Sequence, residues 1–173
     1  MDNPELYVPA QFNSNRVVKS GDIAFTEITA SFFDYGGQVL RSFAVDCEPP
    51  PLYRALHDAA DAAYEAIVVA ATPGATCADL ISAGQIIEQL GFTHCDDLIH
   101  GYGGGYLPPV LGLPSRRDEP TPDITLEAGM MMVVQPNVID HDKIAGVQTG
   151  DCIVVTENGG QSLHKSPRGF LSV

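Results

Sequence analysis

The chain has 173 residues, a length typical of a single domain with a substantial core. Its 22 Asp and Glu residues outnumber the 9 Lys and Arg residues, which gives a formal net charge of −13. A surface with this charge repels nucleic-acid phosphates and anionic lipids, so neither class of partner is expected. No stretch approaches the roughly 18 apolar residues that a membrane span requires, and the acidic start is unlike a secretory leader. These features favour a cytoplasmic protein.

The four cysteines lie far apart and show no paired spacing. This pattern predicts reduced, buried thiols and argues against a disulfide framework or a zinc site. No activating group is evident beside any of them, so a nucleophilic thiol is not expected either. They are Cys47, Cys77, Cys95 and Cys152.

The amino-terminal region predicts an irregular lead-in followed by a hairpin. Residues 1–20 are rich in turn-forming residues and have no sustained period. Residues 23–32 are rich in β-branched and aromatic side chains and predict a strand, in which alternation places Glu27 beside apolar neighbours. A turn at residues 34–37 and a second strand over residues 38–45 would complete the hairpin.

Two helices are predicted next. The first begins at the three prolines 49–51, and its apolar residues recur every three or four positions from Leu52 to Ala70. The second has Thr76 as a good N-cap with an acidic residue three positions later, and its apolar stripe ends at Gly91.

The carboxyl-terminal half is predicted to alternate loops and strands. A glycine-rich stretch at 101–105 lacks the residues of a phosphate-binding loop and leads into a proline-rich segment, 107–123, expected to be a stiff, irregular covering. Strands are predicted at 130–138 and 151–156, while the residues after Gly160 indicate no particular structure.

Five motifs in sequence resemble the creatinase/aminopeptidase/prolidase superfamily, which has the "pita-bread" fold. The resemblance covers roughly residues 16–163. It rests on Gly21-Asp22 before a strand, TPGAT at 72–76, His-Gly-Tyr-Gly at 100–103, LEAGMMMVVQP at 126–136 and GVQTGDCIVVTENGG at 146–160. The resemblance implies the framework of a metal-hydrolase active site.

The family's peptidases hold two divalent cations with Asp, Asp, His, Glu and Glu, because paired cations need several anionic oxygens. Carried over position by position, these ligands fall on Glu27, Gln38, His100, Gln135 and Gly150. One carboxylate and one imidazole remain, so no dinuclear site and no metal cofactor are expected. A mononuclear site stays open as an alternative.

Creatinase is an informative relative, since it shares the fold, dispenses with metal and uses the histidine of this loop as acid and base. Its Glu-Arg pair becomes Leu40-Arg41 here, and its Glu-Pro pair becomes Gln135-Pro136. The carboxylates that read a guanidinium group are therefore replaced. Creatine itself is not the expected substrate, while a histidine-centred site remains open.

His100 is the central candidate, because imidazole exchanges protons near neutral pH. Glu27 would assist it by orienting the ring or by taking a substrate proton. The competing interpretation is a histidine whose hydrogen bonds are satisfied in a packed loop, with Glu27 bonded to its strand neighbours.

Four further residues are predicted to contact a substrate. Gln38 and Gln135 suit a neutral amide or carbonyl, although water could also satisfy them, and Tyr102 lies in the same loop as the histidine. Arg116 could bind a carboxylate, or belong to a solvated pair in the covering loop. The residues 94–97, His-Cys-Asp-Asp, resemble a ligand cluster, but on a strand they would point alternately apart.

The expected fold is α+β, a reduced pita-bread domain with a curved, mostly antiparallel sheet backed by helices. Residues 1–20 form the lead-in, 21–163 the partial domain and 164–173 a tail. The family has a helix and further strands before its first Gly-Asp strand. We therefore expect an exposed sheet edge, covered by self-association or by a second polypeptide, or a chain that is a piece of a longer protein.

Three functions follow from the sequence. The leading hypothesis is a creatinase-like, metal-independent hydrolase that acts on a small polar molecule with His100 as acid and base. A non-catalytic binding or scaffold subunit is the second. A residual mononuclear metallohydrolase is the third.

Overall fold

The computed structural model describes residues 15–173, and 1–14 of the predicted lead-in lie outside that range. It is an α+β fold with one large, mostly antiparallel sheet and a smaller one, as predicted. The helices are α1 (Pro51–Ala70), α2 (Cys77–Gly84) and α3 (Ile86–Gln89). The strands are β1 (Ile23–Phe32), β2 (Tyr35–Ala44), β3 (Thr93–His94), β4 (Ile99–Tyr102), β5 (Tyr106–Leu111), β6 (Met131–Val134), β7 (Asn137–Ile139), β8 (Gly146–Gln148), β9 (Gly150–Thr156), β10 (Gly159–Ser162) and β11 (Phe170–Ser172).

The predicted hairpin is present, but its turn is shorter than expected. β1 pairs with β2 in antiparallel register from Ile23 opposite Ala44 to Phe32 opposite Tyr35. The reversal is made by Phe33 and Asp34 alone, with φ values of 47° and 61°. A two-residue turn of positive φ matches the twist of paired strands. The sequence did not predict it, because such turns usually contain Asn, Asp or Gly and not phenylalanine. The turn predicted at 34–37 was therefore wrong, because those glycines belong to β2.

Helix α1 is the centre of the main core. Pro51 occupies its first position, where its missing N–H costs nothing. Its buried side chains recur at helical spacing from Leu56 to Ile67, and they pack with apolar residues of the sheets. Each large apolar side chain buried in this way contributes about 1.5–3 kcal/mol.

The second predicted helix divides into α2 and α3. Thr76 caps it as expected, accepting a bond from the N–H of Asp79, whose carboxylate accepts one from the N–H of Thr76. The division falls at Gly84 and Gln85, and a Cβ on Gly84 would lie 2.9 Å from Leu98. Close packing therefore requires glycine there, and glycine weakens a helix by about 1 kcal/mol. The prediction of one continuous helix was wrong for this reason.

The proline-rich segment is only partly irregular. Its first part forms β5, which pairs with β4 and occupies the end of the large sheet. Proline cannot donate to a ladder, but an end strand needs bonds on one side only, so Pro108 and Pro109 are tolerated. The prediction of an uninterrupted loop over 107–123 was wrong.

The predicted strand at 130–138 is also interrupted. β6 ends at Val134, and Gln135-Pro136 separates it from β7, which belongs to the smaller sheet with β3 and β8. Pro136 has no N–H with which to continue the ladder. The chain therefore changes sheets at the position where a site residue was predicted.

The carboxyl-terminal residues are ordered against the sheet. The order of the large sheet is β1-β2-β9-β6-β4-β5, with β10 beside β9 and β11 parallel to β2. Arg41 of β2 donates to the carbonyls of Ser166 and Pro167, and so joins the segment 164–173 to the sheet. The residues after Gly160 therefore have a defined place that their sequence did not indicate.

The expected free edge of the sheet is β1. Several large apolar side chains at or near this edge are exposed: Val17, Val18, Ile28, Phe32, Phe33 and Tyr35. A long edge strand with exposed apolar side chains offers unpaired backbone groups to another polypeptide. What covers this edge remains a prediction. None of the helices within residues 15–173 has the length and apolar character that crossing a membrane requires.

Candidate functional site

Four neighbouring strands bring the predicted residues to one face of the large sheet, called the site face below. Leu40 lies opposite Gly150, Val133 opposite Cys152 and His100 opposite Val133. Side chains alternate along a strand, so Gln38 shares a side with Leu40, and Gln135 with Val133. The site face comprises Gln38, Leu40, His100, Tyr102, Val133, Gln135, Gly150 and Cys152, with Glu27 opposite Leu40 at its edge. Helix α1 packs on the opposite side of the sheet, because its buried residues belong to the main core. Leu40, Tyr102, Val133 and Cys152 form a separate cluster.

His100 is completely buried on β4 and has one ring nitrogen without a hydrogen-bond partner. Its Nδ1–H donates to the carbonyl of Gly101 at 3.0 Å, so Nε2 carries the lone pair of the neutral ring. Burial lowers the pKa of His100 below its ordinary value, and the Gly101 carbonyl, the Gln135 side chain and the charge of Asp96 oppose that shift. Nε2 makes no hydrogen bond of regular geometry with any residue from 15 to 173. The ring is therefore a neutral imidazole whose Nε2 lone pair can accept a proton.

Two tyrosines enclose this imidazole. The ring of Tyr106 stacks on it with 4.1 Å between centroids, and the ring of Tyr102 meets it edge-on at 5.5 Å. Tyr102 is buried and fits against Gly36, where a Cβ would lie only 2.7 Å from the phenol ring. Tyr106 is 56 % exposed, so it is the side chain that can move to admit a molecule.

Gln38 and Gln135 lie on the site face as predicted and bond to each other. The amide nitrogen of Gln38 donates to the side-chain oxygen of Gln135 at 2.9 Å, and both residues are buried. This bond joins β2 to the segment that follows β6. Each amide keeps further donor or acceptor capacity, which suits a neutral carbonyl or amide ligand.

The donor set on this face does not fit the pair of cations that the resemblance implies. No group of three or more His, Cys, Asp or Glu side chains within residues 15–173 could hold a metal ion. At Gly150, even a Cβ would lie 2.2 Å from the carbonyl oxygen of Val134 and 2.8 Å from the Cα of Gln135. The space for a carboxylate at that position has closed, so replacement by glutamate would require the backbone to move.

Glu27 lies at the edge of the site face, because residues directly opposite each other on paired strands point to the same side and Glu27 is opposite Leu40. It lies on the edge strand β1 opposite Leu40, where its side chain is exposed. Within the described part of the chain it makes no hydrogen bond or ion pair, and none joins it to His100. Partial burial, followed by the charge of Asp96, raises the pKa of the Glu27 carboxyl. The structure therefore gives no direct contact for the predicted pairing of Glu27 with the imidazole.

Cys152 is the thiol on this face, and it is a poor nucleophile because it does not ionise readily. Burial raises the pKa of Cys152 to about 11, so the thiol stays protonated at neutral pH. All four cysteines are free; Cys77 and Cys152 are buried as predicted, whereas Cys47 and Cys95 are only half-buried.

Arg116 lies away from the imidazole, beside a separate pocket of about 420 Å³. It shares this pocket with the segment 94–97, which is mostly a turn, since β3 ends at His94. The strand alternation predicted for that segment was therefore wrong. His94 itself uses both ring nitrogens, bonding the carbonyl of Asp96 at 2.6 Å and accepting from the N–H of Leu113 at 3.0 Å.

Two residues near the imidazole were not predicted. Tyr106 stacks on His100 and also donates to Asp97 at 2.8 Å. Asp97 was considered only as part of a metal-like cluster. Tyr106 belongs to no motif that the sequence offered. Only the pairing of β4 with β5 brings it over the imidazole ring of His100.

The geometry and comparisons with solved structures define the class of protein. A dipeptidase, PepE, from Mycobacterium ulcerans superposes with a TM-score of 0.84 at 25 % identity, covering 98 % of this chain and 45 % of that one. The prolidase from Pyrococcus furiosus gives a TM-score of 0.81 at 25 % identity, covering 95 % and 48 %. A methionine aminopeptidase from Rickettsia prowazekii gives 0.71 at 20 % identity, covering 86 % and 66 %. The fold is thus a pita-bread fold of reduced extent.

Sequence comparison places the chain within that class. Residues 3–157 match the sequence profile described as metallopeptidase family M24, and the chain belongs to this family. An Xaa-Pro dipeptidase of Pyrococcus furiosus is 29 % identical over 167 residues, covering 95 % of this chain and 46 % of the relative. An uncharacterized hydrolase/peptidase of Sinorhizobium fredii is 30 % identical, covering 90 % and 38 %. The chain spans about half the length of the curated relatives it matches.

Proposed function

We propose that this M24 family protein is a metal-independent hydrolase that acts on a small polar molecule containing an amide or related C–N bond. The observation that carries the proposal is the state of His100, whose Nδ1–H is bonded to Gly101 while Nε2, beside Gln135, makes no hydrogen bond of regular geometry with residues 15–173. A neutral imidazole of fixed tautomer is the form in which histidine acts as a general base.

The reaction assigned to this site is hydrolysis. Nε2 of His100 takes a proton from water as the water oxygen bonds to the substrate carbon. The same proton is then given to the leaving nitrogen as the C–N bond breaks, and the imidazole returns to its neutral form. Gln38 and Gln135 supply neutral hydrogen-bonding groups for the substrate carbonyl or amide.

The face supports this function better than metal-assisted hydrolysis. The five positions that would hold cations carry one carboxylate, one imidazole, two amides and a glycine. At Gly150 the backbone of the neighbouring strand occupies the space of a side chain. Access to the imidazole requires Tyr106 to move, and Tyr106 is exposed enough to do so.

The first experiment measures hydrolysis of a panel of Xaa-Pro dipeptides, ureido acids, guanidino acids and simple amides, with EDTA present throughout. The proposal expects turnover of a panel member that survives EDTA and is lost in His100→Gln. His57→Gln is the matched control, since His57 is also buried but packs against Phe170 rather than on the site face. Turnover that persists in His100→Gln would show that the imidazole is not the acid and base.

Elemental analysis of protein purified without chelator tests metal independence separately. The proposal expects less than one equivalent of any divalent metal and no activation by Mn²⁺, Co²⁺ or Zn²⁺. Stoichiometric metal with activity restored by that metal would instead support the mononuclear metallohydrolase. That outcome contradicts the proposal even if His100 proves essential.

A second candidate function, a non-catalytic binding subunit, is favoured by a different observation. Gln38 and Gln135 bond to each other, and His100 is 0 % exposed, so these side chains are closed off from solvent. This candidate expects no turnover across the panel. It also expects His100→Gln, which keeps a hydrogen-bonding side chain, to retain binding of an identified partner.

A further inference from the structure

The pocket beside Arg116 shares Tyr106 with the proposed reaction site, while its other lining residues take no part in the proposed reaction. Its volume, about 420 Å³, is within the usual range for small-molecule sites. Tyr106 lines it and also stacks on His100, whereas His100 does not line it. The phenol ring of Tyr106 therefore separates the pocket from the site face.

Asp97 lines this pocket and is buried. The residue is 9 % exposed, and its Oδ1 accepts the hydroxyl of Tyr106 at 2.8 Å. Its Oδ2 is buried and has no hydrogen-bond partner among residues 15–173. A buried carboxylate oxygen without a donor is unfavourable, and other buried polar atoms of proteins are nearly always paired. A ligand N–H that reached this oxygen would supply a donor.

The charges around the pocket favour a cation as that donor. Four acidic residues, Asp96, Asp97, Asp118 and Glu119, outnumber the two basic ones, Arg116 and Arg117. Arg117 already pairs with Glu119, their Nε and Oε2 being 3.4 Å apart. No set of three metal-ligating side chains occurs here within residues 15–173, so a divalent ion has too few ligands.

We propose that this pocket binds the ammonium or guanidinium group of a small organic cation, whose N–H groups donate to Asp97 Oδ2 and to the carboxylate of Asp96. The phenol of Tyr106, anchored on Asp97 Oδ1, forms the wall against which the cation packs. The site is separate from the imidazole, and the proposal does not depend on hydrolysis.

Isothermal titration with n-butylammonium and n-butylguanidinium tests the proposal, with valerate and 1-butanol as anionic and neutral controls of similar length. Saturable binding of at least one cation, and of neither control, is expected. A charge-assisted hydrogen bond lost at Asp97 corresponds to roughly tenfold to hundredfold weaker binding in Asp97→Asn. Asp142→Asn, the same substitution at an exposed carboxylate outside the pocket, should leave binding unchanged.

A chemical readout on the unmodified chain locates the bound cation without any variant. Cys95 lines the pocket and is half-buried, while Cys47 is half-buried at a different surface. At a cation concentration ten times Kd, alkylation of Cys95 by iodoacetamide should slow about tenfold, because about one molecule in eleven is free. The rate at Cys47 should not change.

Three results would overturn the proposal: no saturable cation binding up to millimolar concentration, binding that is unaffected in Asp97→Asn, or equal protection of Cys95 and Cys47. Valerate binding in place of the cations would assign the pocket to Arg116 and an anion. These results are distinct from the hydrolysis tests, which are decided by His100→Gln.

Discussion

Two buried polar clusters lie on opposite faces of the large sheet, and they differ in charge and in completeness. On the helix side, Arg41 and Asp151 form an ion pair with Nη2 and Oδ1 2.9 Å apart. On the site face, Gln38 of β2 and Gln135, which follows β6, share a single neutral hydrogen bond near Nε2 of His100, which makes no hydrogen bond of regular geometry with residues 15–173.

The helix-side cluster is tied into the fold by many bonds. The Arg41 guanidinium also donates to the carbonyls of Leu40, Gly150, Ser166 and Pro167. Asp151 accepts from Ser162 at 2.8 Å and from Tyr64 at 3.3 Å. Such a network holds strands, helix and carboxyl terminus together, whereas the site face keeps polar capacity that the protein itself does not use. The difference separates a structural polar cluster from a candidate functional one.

The largest expected effect is on the helix-side cluster. Arg41→Met leaves Asp151 buried without its cation, and removing one partner of a buried pair costs about 3–5 kcal/mol. Urea unfolding followed by circular dichroism measures the loss. Arg54→Met is the matched control, because its pair with Glu48 is exposed and should contribute under about 1 kcal/mol. Equal losses in the two variants would contradict the comparison.

Asp97 is buried, as Asp151 is. Unlike Asp151, it forms no ion pair with an arginine among residues 15–173. Burial is the main cause that raises its pKa to about 7, well above its unfolded value. Between about pH 4 and pH 7 the folded state therefore binds more protons, so this carboxyl lowers stability as pH rises through that interval.

Asp97→Asn removes this pH dependence. The free energy of unfolding of the variant relative to the unmodified chain should increase between pH 4 and pH 8, by at most about 4 kcal/mol. Glu27, whose pKa is raised in the same direction, is present in both proteins and cancels in the difference. Chemical unfolding at several pH values measures it, and a difference that is constant with pH would show that Asp97 is not desolvated.

Gly150 tests whether the site face has closed over the lost ligand position. Gly150→Ala places a Cβ against the carbonyl of Val134, and backbone must shift, at a cost of about 1–3 kcal/mol. Gly37→Ala is the control, because its Cβ would meet only the ring of His164 at an ordinary 3.7 Å. A stable Gly150→Ala variant, or Gly150→Glu that gains tight metal binding, would show that the position is still open.

The smallest expected effect concerns the amide pair. Gln38→Leu and Gln135→Leu each leave one buried amide without its partner, so each should destabilise by about 1–3 kcal/mol. The double variant should cost less than their sum, with a coupling of about 0.5–1.5 kcal/mol. Additive losses in a double-mutant cycle would mean that the bond between these amides contributes nothing to stability.

Much of the fold was predictable from local signals. The alternation in residues 23–32 gave the bounds of β1, and Thr76 with Asp79 marked the start of α2. Errors arose where tertiary contacts overrule local preference. Gly84 divides a helix because Leu98 packs against it, and Pro108-Pro109 enters a strand because β5 lies at the end of a sheet.

The site was predictable in part, for a comparable reason. Matching motifs identified His100, Gln38 and Gln135, and the strand register brings these three to one face. The placements of Glu27 and Arg116 depended on which strand is at the edge and where a loop returns, and neither is encoded in a residue's own neighbourhood. Tyr106 was not predicted because its role exists only through its contacts with the imidazole and with Asp97.

By itself the sequence determined the chemical inventory of this protein: its acidic surface, its unpaired cysteines, its family and the substitution of amides and glycine for carboxylates. Composition and motif order are properties of the chain, so no coordinates are needed to read them. The tertiary structure alone decided that His100 is a buried neutral imidazole, that Gly150 has no room for a side chain and that Asp97 lines a pocket. Burial, pKa and free space depend on residues distant in the chain, and folding is what brings those residues together.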